Sequence, residues 1–289
     1  MNIDLGEITR PADVPKPVPL QMVESGAPKV AIVTYASEEY RMLEALTLHN
    51  KMKYAARHGF FLTKPDVCDS AWDRVRILYT MLGMGYEYVA WFDCDFLVTN
   101  LEIDFRAFFD TGLKAVKSFL MGRDINGPNS GVMLVRNTDQ AKLYLTAVLG
   151  EGFRRFGYTS HRCWAPQHFG IGGVYEPKPA IIGCAMCKAT GVYNELVPRS
   201  EQTALEYYAR QEDHRDHVWI APQRGFNSYR YADSVRGIAV LPEWGEWQEG
   251  DFGMHLAGIP MQDGHDDALA ISYKGKLSIA KEVLGRHGD

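Results

Sequence analysis

Short apolar runs rich in β-branched and aromatic residues alternate with longer amphipathic stretches along most of the chain. The runs are typical of buried strands, and the stretches carry apolar side chains at helical spacing. This alternation predicts an α/β fold with a mostly parallel central sheet flanked by helices. The predicted strands span residues 30–34, 60–63, 86–92, 115–121, 131–135 and 218–221. The predicted helices span residues 39–58, 71–82 and 139–149.

The domain organisation follows from where prolines and linkers occur. The first 28 residues contain five prolines and little apolar periodicity, which indicates an extended N-terminal arm over residues 1–28. No Pro/Gly/Ser-rich linker divides the rest of the chain into two balanced halves. We therefore expect a single domain over residues 29–260, followed by a C-terminal helical excursion over residues 261–289.

Composition excludes several classes of protein. The net charge of −5, from 31 basic and 36 acidic side chains, provides no positive field for a nucleic-acid partner. No apolar stretch reaches the ~18 residues that span a bilayer, which leaves only peripheral membrane contact open. The N-terminus lacks the basic and apolar regions of a secretion signal, so we expect a cytoplasmic protein in a bacterial or viral setting. Five cysteines, an odd number, do not indicate a disulfide framework.

Two carboxylates follow the third predicted strand directly. Asp93 and Asp95 are separated only by Cys94, and the strand before them is continuously apolar. In open α/β sheets, ligands bind at the carboxyl ends of the strands. Carboxylate oxygens at that edge suit Mg²⁺ or Mn²⁺ that bridges to substrate phosphates. A solvated turn after a strand gives the same pattern, so both interpretations stay open on these residues alone.

A histidine far downstream offers a third ligand. His255 lies in an apolar, glycine-flanked segment from Glu249 to Gly258. An imidazole nitrogen beside two carboxylates favours Mn²⁺ over Mg²⁺, although Mg²⁺ remains an alternative. A single histidine near a strand end is otherwise more often structural than a metal ligand. The interpretation of His255 as a ligand therefore depends on the presence of Asp93 and Asp95.

Taken together, these residues resemble a known family. Asp93-Cys94-Asp95 behind a Trp-Phe strand, with His255 in the motif Glu-Gly-Asp-Phe-x-x-His-x-Ala-Gly, is similar to the GT-A glycosyltransferases of family 34, which transfer galactosyl, xylosyl or mannosyl groups. The resemblance spans roughly residues 29–258, and its segments occur in the family's order. Four further segments fit it: Asn50-Lys-x-x-Tyr54-Ala-x-x-His58-Gly59, Ala71-Trp72-Asp-Arg74, Asn129-Ser-Gly131-Val-Met-Leu-Val-Arg136-Asn137 and Pro222-Gln223-x-x-Phe226-Asn227-Ser228-Tyr229.

The resemblance implies an activity and a set of site residues. It implies transfer, with retention of anomeric configuration, from a UDP- or GDP-sugar to a hydroxyl of a glycan or glycolipid. Mn²⁺ on Asp93, Asp95 and His255 would hold the donor diphosphate. Asn129 and Gln167 are the implied catalytic residues near the donor sugar, with Gln167 beneath the reacting carbon. The implied nucleotide-sugar contacts are Thr34, Tyr35, Ala36, Arg74, Asp93, Cys94, Asp95, Asn129 and Gln167.

The chain departs from the family pattern at two places. Pro166 stands before Gln167, where many similar enzymes have an aspartate. The basic residue often found shortly after the metal-binding histidine is missing from residues 256–262. Arg224 and Lys274 are candidates to replace that phosphate contact.

Two other functions remain as alternatives. Haloacid-dehalogenase-like phosphatases also use Asp-x-Asp after a strand, and Asp93 would then be the nucleophile. That family places the motif on its first strand, whereas here it follows two strand–helix units. The second alternative is a non-catalytic module of the same fold that binds a nucleotide or glycan, which the missing downstream basic residue favours.

Overall fold

The computed structural model describes residues 29–65, 68, 71–110, 116–124, 127–156, 201–233, 242–257 and 273–286. Its strands are β1 (Val30–Val33), β2 (Phe61–Thr63), β3 (Tyr88–Phe92), β4 (Phe96–Val98), β5 (Phe119–Asp124), β6 (Gly127–Arg136), β7 (Val218–Ile220) and β8 (Gly253–His255). Its α-helices are α1 (Arg41–His58), α2 (Ala71–Gly83), α3 (Asp139–Phe156), α4 (Glu201–Ala209) and α5 (Tyr273–Arg286). The predicted arm over residues 1–28 lies outside the described residues. The expected domain boundary near residue 260 also falls outside them and stays a prediction.

The central sheet has the strand order β2-β1-β3-β6-β5-β7. β6 runs antiparallel to both of its neighbours, β3 and β5. The other five strands share one direction, since β2, β1 and β3 pair in parallel and β7 pairs in parallel with β5. The predicted mostly parallel sheet flanked by helices is therefore confirmed. β4 and β8 form a second, two-stranded antiparallel sheet.

Strand β3 is apolar throughout because both faces of the sheet are covered. Val89 and Trp91 contact the apolar cluster that includes the buried faces of α2, α3 and α4. Ala90 and Phe92 point to the opposite face, into a cluster rich in aromatic residues. Side chains alternate between faces along a strand, so a strand covered on both sides reads as one hydrophobic run.

Helix α1 fixes the turn that follows β3. The hydroxyl of Thr47 and the ammonium of Lys51 both donate to the backbone carbonyl of Cys94. The side chain of Asn50 pairs with the backbone of Val98 in both directions, at 2.9 and 2.8 Å. Side chains of α1 therefore hold the turn that carries Asp93 and Asp95.

Several elements differ from the sequence-based expectations. β5 begins at Phe119 and β6 at Gly127, whereas the predicted strands begin at residues 115 and 131. The short strands β4 and β8 and the helix α4 were not predicted. Three-residue strands carry too little periodicity to detect, and β4 and β8 pair over a long chain separation. Gly59 does end α1, in the left-handed region at φ 67°, as predicted.

Candidate active site

The fold brings the predicted metal ligands together. One ligand atom from each of Asp93, Asp95 and His255 lies within 4.8 Å of the others. Asp93 and Asp95 follow the carboxyl end of β3, and His255 is the last residue of β8. Pairing of β4 with β8 sets Phe96 opposite His255, which delivers the imidazole to the carboxylates. The Nε2 atom of His255 lies 3.2 Å from Oδ1 of Asp95.

The orientation of His255 is set by its neighbours. Its Nδ1 lies 2.9 Å from Oδ1 of Asn227, and the Asn227 amide nitrogen donates to the carbonyl of Arg123. Because an amide oxygen only accepts hydrogen bonds, Nδ1 of His255 carries a proton and Nε2 is the atom that faces Asp95. This is the arrangement found around metal-binding histidines, whose second nitrogen is held by an outer hydrogen bond.

A glycine on β6 makes room for the imidazole. A Cβ atom on Gly131 would lie 2.2 Å from Cε1 of His255 and 2.9 Å from its Nε2. No real Cβ contact is that close, so any side chain at position 131 displaces His255. The backbone carbonyl of Gly131 also accepts from the Asp93 N–H at 2.8 Å. Gly131 therefore leaves space for His255 and also holds the backbone of Asp93.

Asp93 is held by side chains that precede it in the chain. The indole N–H of Trp91 donates to its Oδ1 at 2.6 Å, and Arg74 of α2 approaches that oxygen to 3.3 Å. Arg74 also lies 3.6 Å from Glu201 and donates to the hydroxyl of Ser130 at 3.2 Å. Burial alone would lower the pKa of Arg74, but Asp93 and Glu201 raise it above its ordinary value. Arg74 is therefore a permanent cation beside the carboxylates.

Asp95 is held by side chains that follow it in the chain. The ammonium of Lys276, on α5, donates to Oδ2 of Asp95 at 2.9 Å. The Lys276 side chain is 0% exposed and that of Asp95 is 13% exposed, so this is a buried ion pair. Burial alone would raise the pKa of Asp95, but Lys276 and His255 hold it well below its ordinary range. Asp95 is therefore ionised at neutral pH.

Lys276 was missed by the sequence analysis, although a signal for it exists. On α5 it shares a helix face with the buried residues Ile279, Ala280 and Val283. A lysine on an apolar helix stripe is unusual and indicates a buried acidic partner. The two suggested replacement cations, Arg224 and Lys274, are instead exposed. Arg224 hydrogen-bonds Gln248.

The predicted sugar-binding residue Asn129 joins a second polar cluster. Its Oδ1 accepts from the Gly131 N–H at 2.9 Å, and its Nδ2 donates to Asp124 at 3.2 Å. The hydroxyl of Tyr229 donates to the same carboxylate at 2.9 Å, and the Tyr229 ring lies 5.4 Å from the ring of His255. Sequence reasoning assigned no role to Asp124 or Tyr229. Gln167 lies outside the described residues.

The predicted nucleotide contacts lie at the end of β1. Thr34 and Ala36 are buried. Tyr35 is half-buried and packs against the apolar cluster that includes the buried faces of α2, α3 and α4. Within the described ranges, the Thr34 hydroxyl has no hydrogen-bond partner even though it is buried. A buried hydroxyl without a partner costs free energy, which is typical of a place where a ligand supplies the bond. Burial raises the pKa of the Cys94 thiol well above its ordinary value, so Cys94 contributes backbone rather than thiolate chemistry.

The ligand set fits a divalent cation. Two carboxylates and one imidazole nitrogen suit Mn²⁺, while carboxylates also suit Mg²⁺. Asp95 and His255 are buried and already oriented, and Gly131 leaves the space they need. Asp93, Asp95 and His255 are thus the residues that would hold such an ion.

Comparison with known proteins gives a family and several similar folds. The sequence model of the galactosyl transferase GMA12/MNN10 family matches residues 109–265, more than half of the chain. The match includes Asn129, Asn227 and His255 but begins after Asp93 and Asp95. Comparison with curated proteins gives no match.

Solved glycosyltransferases are among the similar structures. One is involved in glycosylation of the major capsid of PBCV-1, with 14% identity, TM-score 0.48, and coverage of 80% of this chain and 96% of that one. GlyE of Streptococcus pneumoniae TIGR4 has 12% identity and TM-score 0.43, covering 90% of this chain and 63% of that one. The galactosyltransferase LgtC, solved with donor and acceptor sugar analogs, has 13% identity and TM-score 0.40, covering 87% and 95%. None of the helices described here is long and apolar enough to cross a membrane.

Proposed function

Because the chain belongs to the galactosyl transferase GMA12/MNN10 family, and so is a glycosyltransferase with the GT-A fold expected from its sequence, we propose that its sugar transfer depends on a divalent metal. The donor is a nucleoside diphosphate sugar, carrying UDP or GDP, and the acceptor is a hydroxyl of a glycan or glycolipid. Mn²⁺ is the preferred ion, with Mg²⁺ as the alternative.

The convergence of Asp93, Asp95 and His255 carries this proposal. These residues are far apart in the chain, yet their ligand atoms lie within 4.8 Å of one another. All are held in place by outer partners, with Asp93 on Trp91 and His255 on Asn227. Preorganised ligands with supporting hydrogen bonds are characteristic of metal sites rather than of surface turns.

Each residue has a stated task in the reaction. A divalent cation bound there would stabilise the negative charge that develops on the leaving diphosphate. Asp93 and Asp95 supply carboxylate oxygens, and His255 supplies Nε2. Arg74 places a fixed positive charge beside Asp93, where a phosphate oxygen of the donor would be attracted. The family that this sequence resembles usually has a lysine at this position, so Arg74 keeps the positive charge.

The sugar and the nucleotide are assigned to the two ends of the site. Asn129 presents amide groups beside Asp124 and Tyr229, which together can hydrogen-bond sugar hydroxyls. Thr34, with its buried hydroxyl, supports a nucleotide contact at the end of β1. Gln167, beneath the reacting carbon, and retention of anomeric configuration are proposed on the family resemblance alone.

The family match favours glycosyl transfer over the phosphatase alternative. A phosphatase of that kind needs Asp93 as a nucleophile on the first strand, whereas β3 is the third strand among the residues that the structure describes. Both oxygens of Asp93 lie within hydrogen-bond distance of Trp91 or Arg74. Such contacts suit a fixed metal ligand better than an attacking group.

Nucleotide binding tests the proposal. We would titrate the protein with UDP and GDP in Mn²⁺, in Mg²⁺ and in EDTA, and assay transfer from the corresponding sugar nucleotides. We expect one nucleotide to bind with metal and to lose at least about tenfold in affinity in EDTA or in Asp95→Asn. The exposed Lys281→Gln is the control that keeps wild-type binding. Equal affinity with and without metal, together with an unaffected Asp95→Asn variant, would contradict the proposal.

A further inference from the structure

The metal ligands in this protein already carry positive partners. Asp93 is paired with Arg74 at 3.3 Å and Asp95 with Lys276 at 2.9 Å. Lys51, also fully buried, lies beneath the same turn and bonds the Cys94 carbonyl at 3.3 Å. The charge of both carboxylates is therefore largely neutralised by residues of the fold itself.

We propose that Lys276 makes metal binding depend on the donor diphosphate. This inference rests on the proposed metal site at Asp93, Asp95 and His255. A divalent cation on Asp95 lies next to the fixed charge of Lys276, in a buried place where charges interact strongly. The cation alone leaves excess positive charge there. A diphosphate brings two or more negative charges, so metal and diphosphate bind each better in the presence of the other.

Lys276, rather than Arg74, sets this coupling. Arg74 also faces Glu201 at 3.6 Å, which offsets part of its charge. Lys276 is bonded to Asp95 itself, and its ammonium lies 5.5 Å from the centre of the Tyr40 ring. Its charge thus acts most directly on a ligand oxygen. Lys276 is a positioning residue, because it is fully buried and acts through Asp95.

The packing of α5 allows this idea to be tested by substitution. Helix α5 is held to the domain by Ile279, Ala280 and Val283, which pack with Leu43 and Met254. Lys276 can therefore be changed while these apolar contacts remain. Lys276→Gln keeps a hydrogen-bond donor for Asp95 and removes the charge, and Lys276→Arg keeps the charge. Lys281→Gln makes the same charge change at an exposed position of the same helix.

The experiment measures the Kd of Mn²⁺ by electron paramagnetic resonance, alone and with saturating UDP, GDP or pyrophosphate. In the unaltered protein, we expect a bound diphosphate to lower the Kd of Mn²⁺ by about tenfold or more. In Lys276→Gln, the Kd of Mn²⁺ alone falls by about tenfold and the effect of the diphosphate shrinks accordingly. Lys276→Arg and Lys281→Gln keep the coupling of the unaltered protein. If Lys276→Gln does not fold, as judged by circular dichroism, Lys276→Met replaces it with the same expectation.

Three results overturn the inference. The Kd of Mn²⁺ is the same with and without diphosphate in the unaltered protein, or Lys276→Gln behaves like Lys281→Gln, or Lys276→Gln weakens Mn²⁺ binding in both states. The second and third results leave the proposed function standing, because nucleotide binding still depends on the metal and still weakens in Asp95→Asn. The first result contradicts the proposed function as well, since by reciprocity the diphosphate would then bind equally well with and without Mn²⁺. If the unaltered protein binds neither Mn²⁺ nor a diphosphate, the proposed function fails and this inference fails with it.

Discussion

The two carboxylates of the Asp-Cys-Asp turn stand one residue apart, yet different parts of the chain hold them. Asp93 is bonded by Trp91, two residues away, and by Arg74 on the preceding helix. Asp95 accepts from Lys276 and lies 3.2 Å from Nε2 of His255, and these residues lie 181 and 160 positions further along. One ligand is thus placed by local structure and the other by the docking of the carboxyl-terminal elements β8 and α5.

This difference separates two roles within one motif. The Asp93 side chain is 24% exposed and lies beside a cation that is shared with Glu201. The Asp95 side chain is 13% exposed and forms a buried pair with Lys276. We infer that Asp95 couples the carboxyl-terminal part of the domain to the site, whereas Asp93 belongs to the sheet edge alone.

Removing each carboxylate should expose that difference most strongly. Asp95→Ala removes the carboxylate that the buried ammonium of Lys276 bonds at 2.9 Å, so we expect a loss of about 3–5 kcal/mol in the free energy of unfolding. Asp93→Ala leaves Arg74 with Glu201 and Ser130, so we expect a loss of about 1–3 kcal/mol. Urea unfolding of both variants at neutral pH measures the difference. Equal losses would mean that the two carboxylates are held alike.

Gly131→Ala tests the position of His255 by adding a side chain on β6, the strand that faces the imidazole. The new Cβ would clash with His255, so we expect a loss of about 1–3 kcal/mol in stability and weaker Mn²⁺ binding. Gly150→Ala is the matched control, because an added Cβ meets nothing within 4 Å on helix α3. That control should gain about 0.5–1 kcal/mol. Mn²⁺ affinity equal to that of the unaltered protein in Gly131→Ala would show that His255 is not a ligand.

The two halves of the site also differ in how far the sequence predicted them. The β3 strand and its Asp93 followed from one apolar run that ends in carboxylates. His255 was proposed as a third ligand from its residue type and strengthened by the family resemblance, because periodicity says nothing about which distant strands pair. β4 and β8 are three residues long, and their pairing depends on tertiary packing. Lys276 was missed because a buried lysine contradicts the usual preference for exposure, although its helix face held the clue.

Asn227→Ala tests the outer support of His255. Loss of the acceptor for Nδ1 frees the imidazole to rotate, so we expect Mn²⁺ affinity to fall by about 10- to 100-fold. The cost in stability is about 1–2 kcal/mol, because the hydrogen bonds of the Asn227 amide to His255 and to the Arg123 carbonyl are lost. Calorimetric titration with Mn²⁺ measures the affinity. Ser228→Ala changes the next residue, whose hydroxyl donates to Asp251 and whose backbone bond to the His255 N–H is kept, and it should leave Mn²⁺ affinity near that of the unaltered protein.

Lys51, which lies beneath both carboxylates, predicts a pH effect. Burial lowers its pKa to about 8, against 10.5 in an unfolded chain. Between these values the unfolded chain binds more protons, so stability rises with pH. We expect a rise of about 1 kcal/mol between pH 8 and 9.5 that is absent in Lys51→Met. Urea midpoints of both proteins over this range measure it, and parallel pH profiles would contradict the assigned burial of the charge.

The central claim is that Asp93, Asp95 and His255 hold one divalent cation. The most direct test is a crystal soaked with MnCl₂ and the nucleotide that binds in titration, examined by anomalous scattering at the manganese edge. The account predicts one strong peak in contact with both carboxylates and with Nε2 of His255. A peak elsewhere with these side chains unligated, or no peak at a concentration that saturates nucleotide binding, would contradict it.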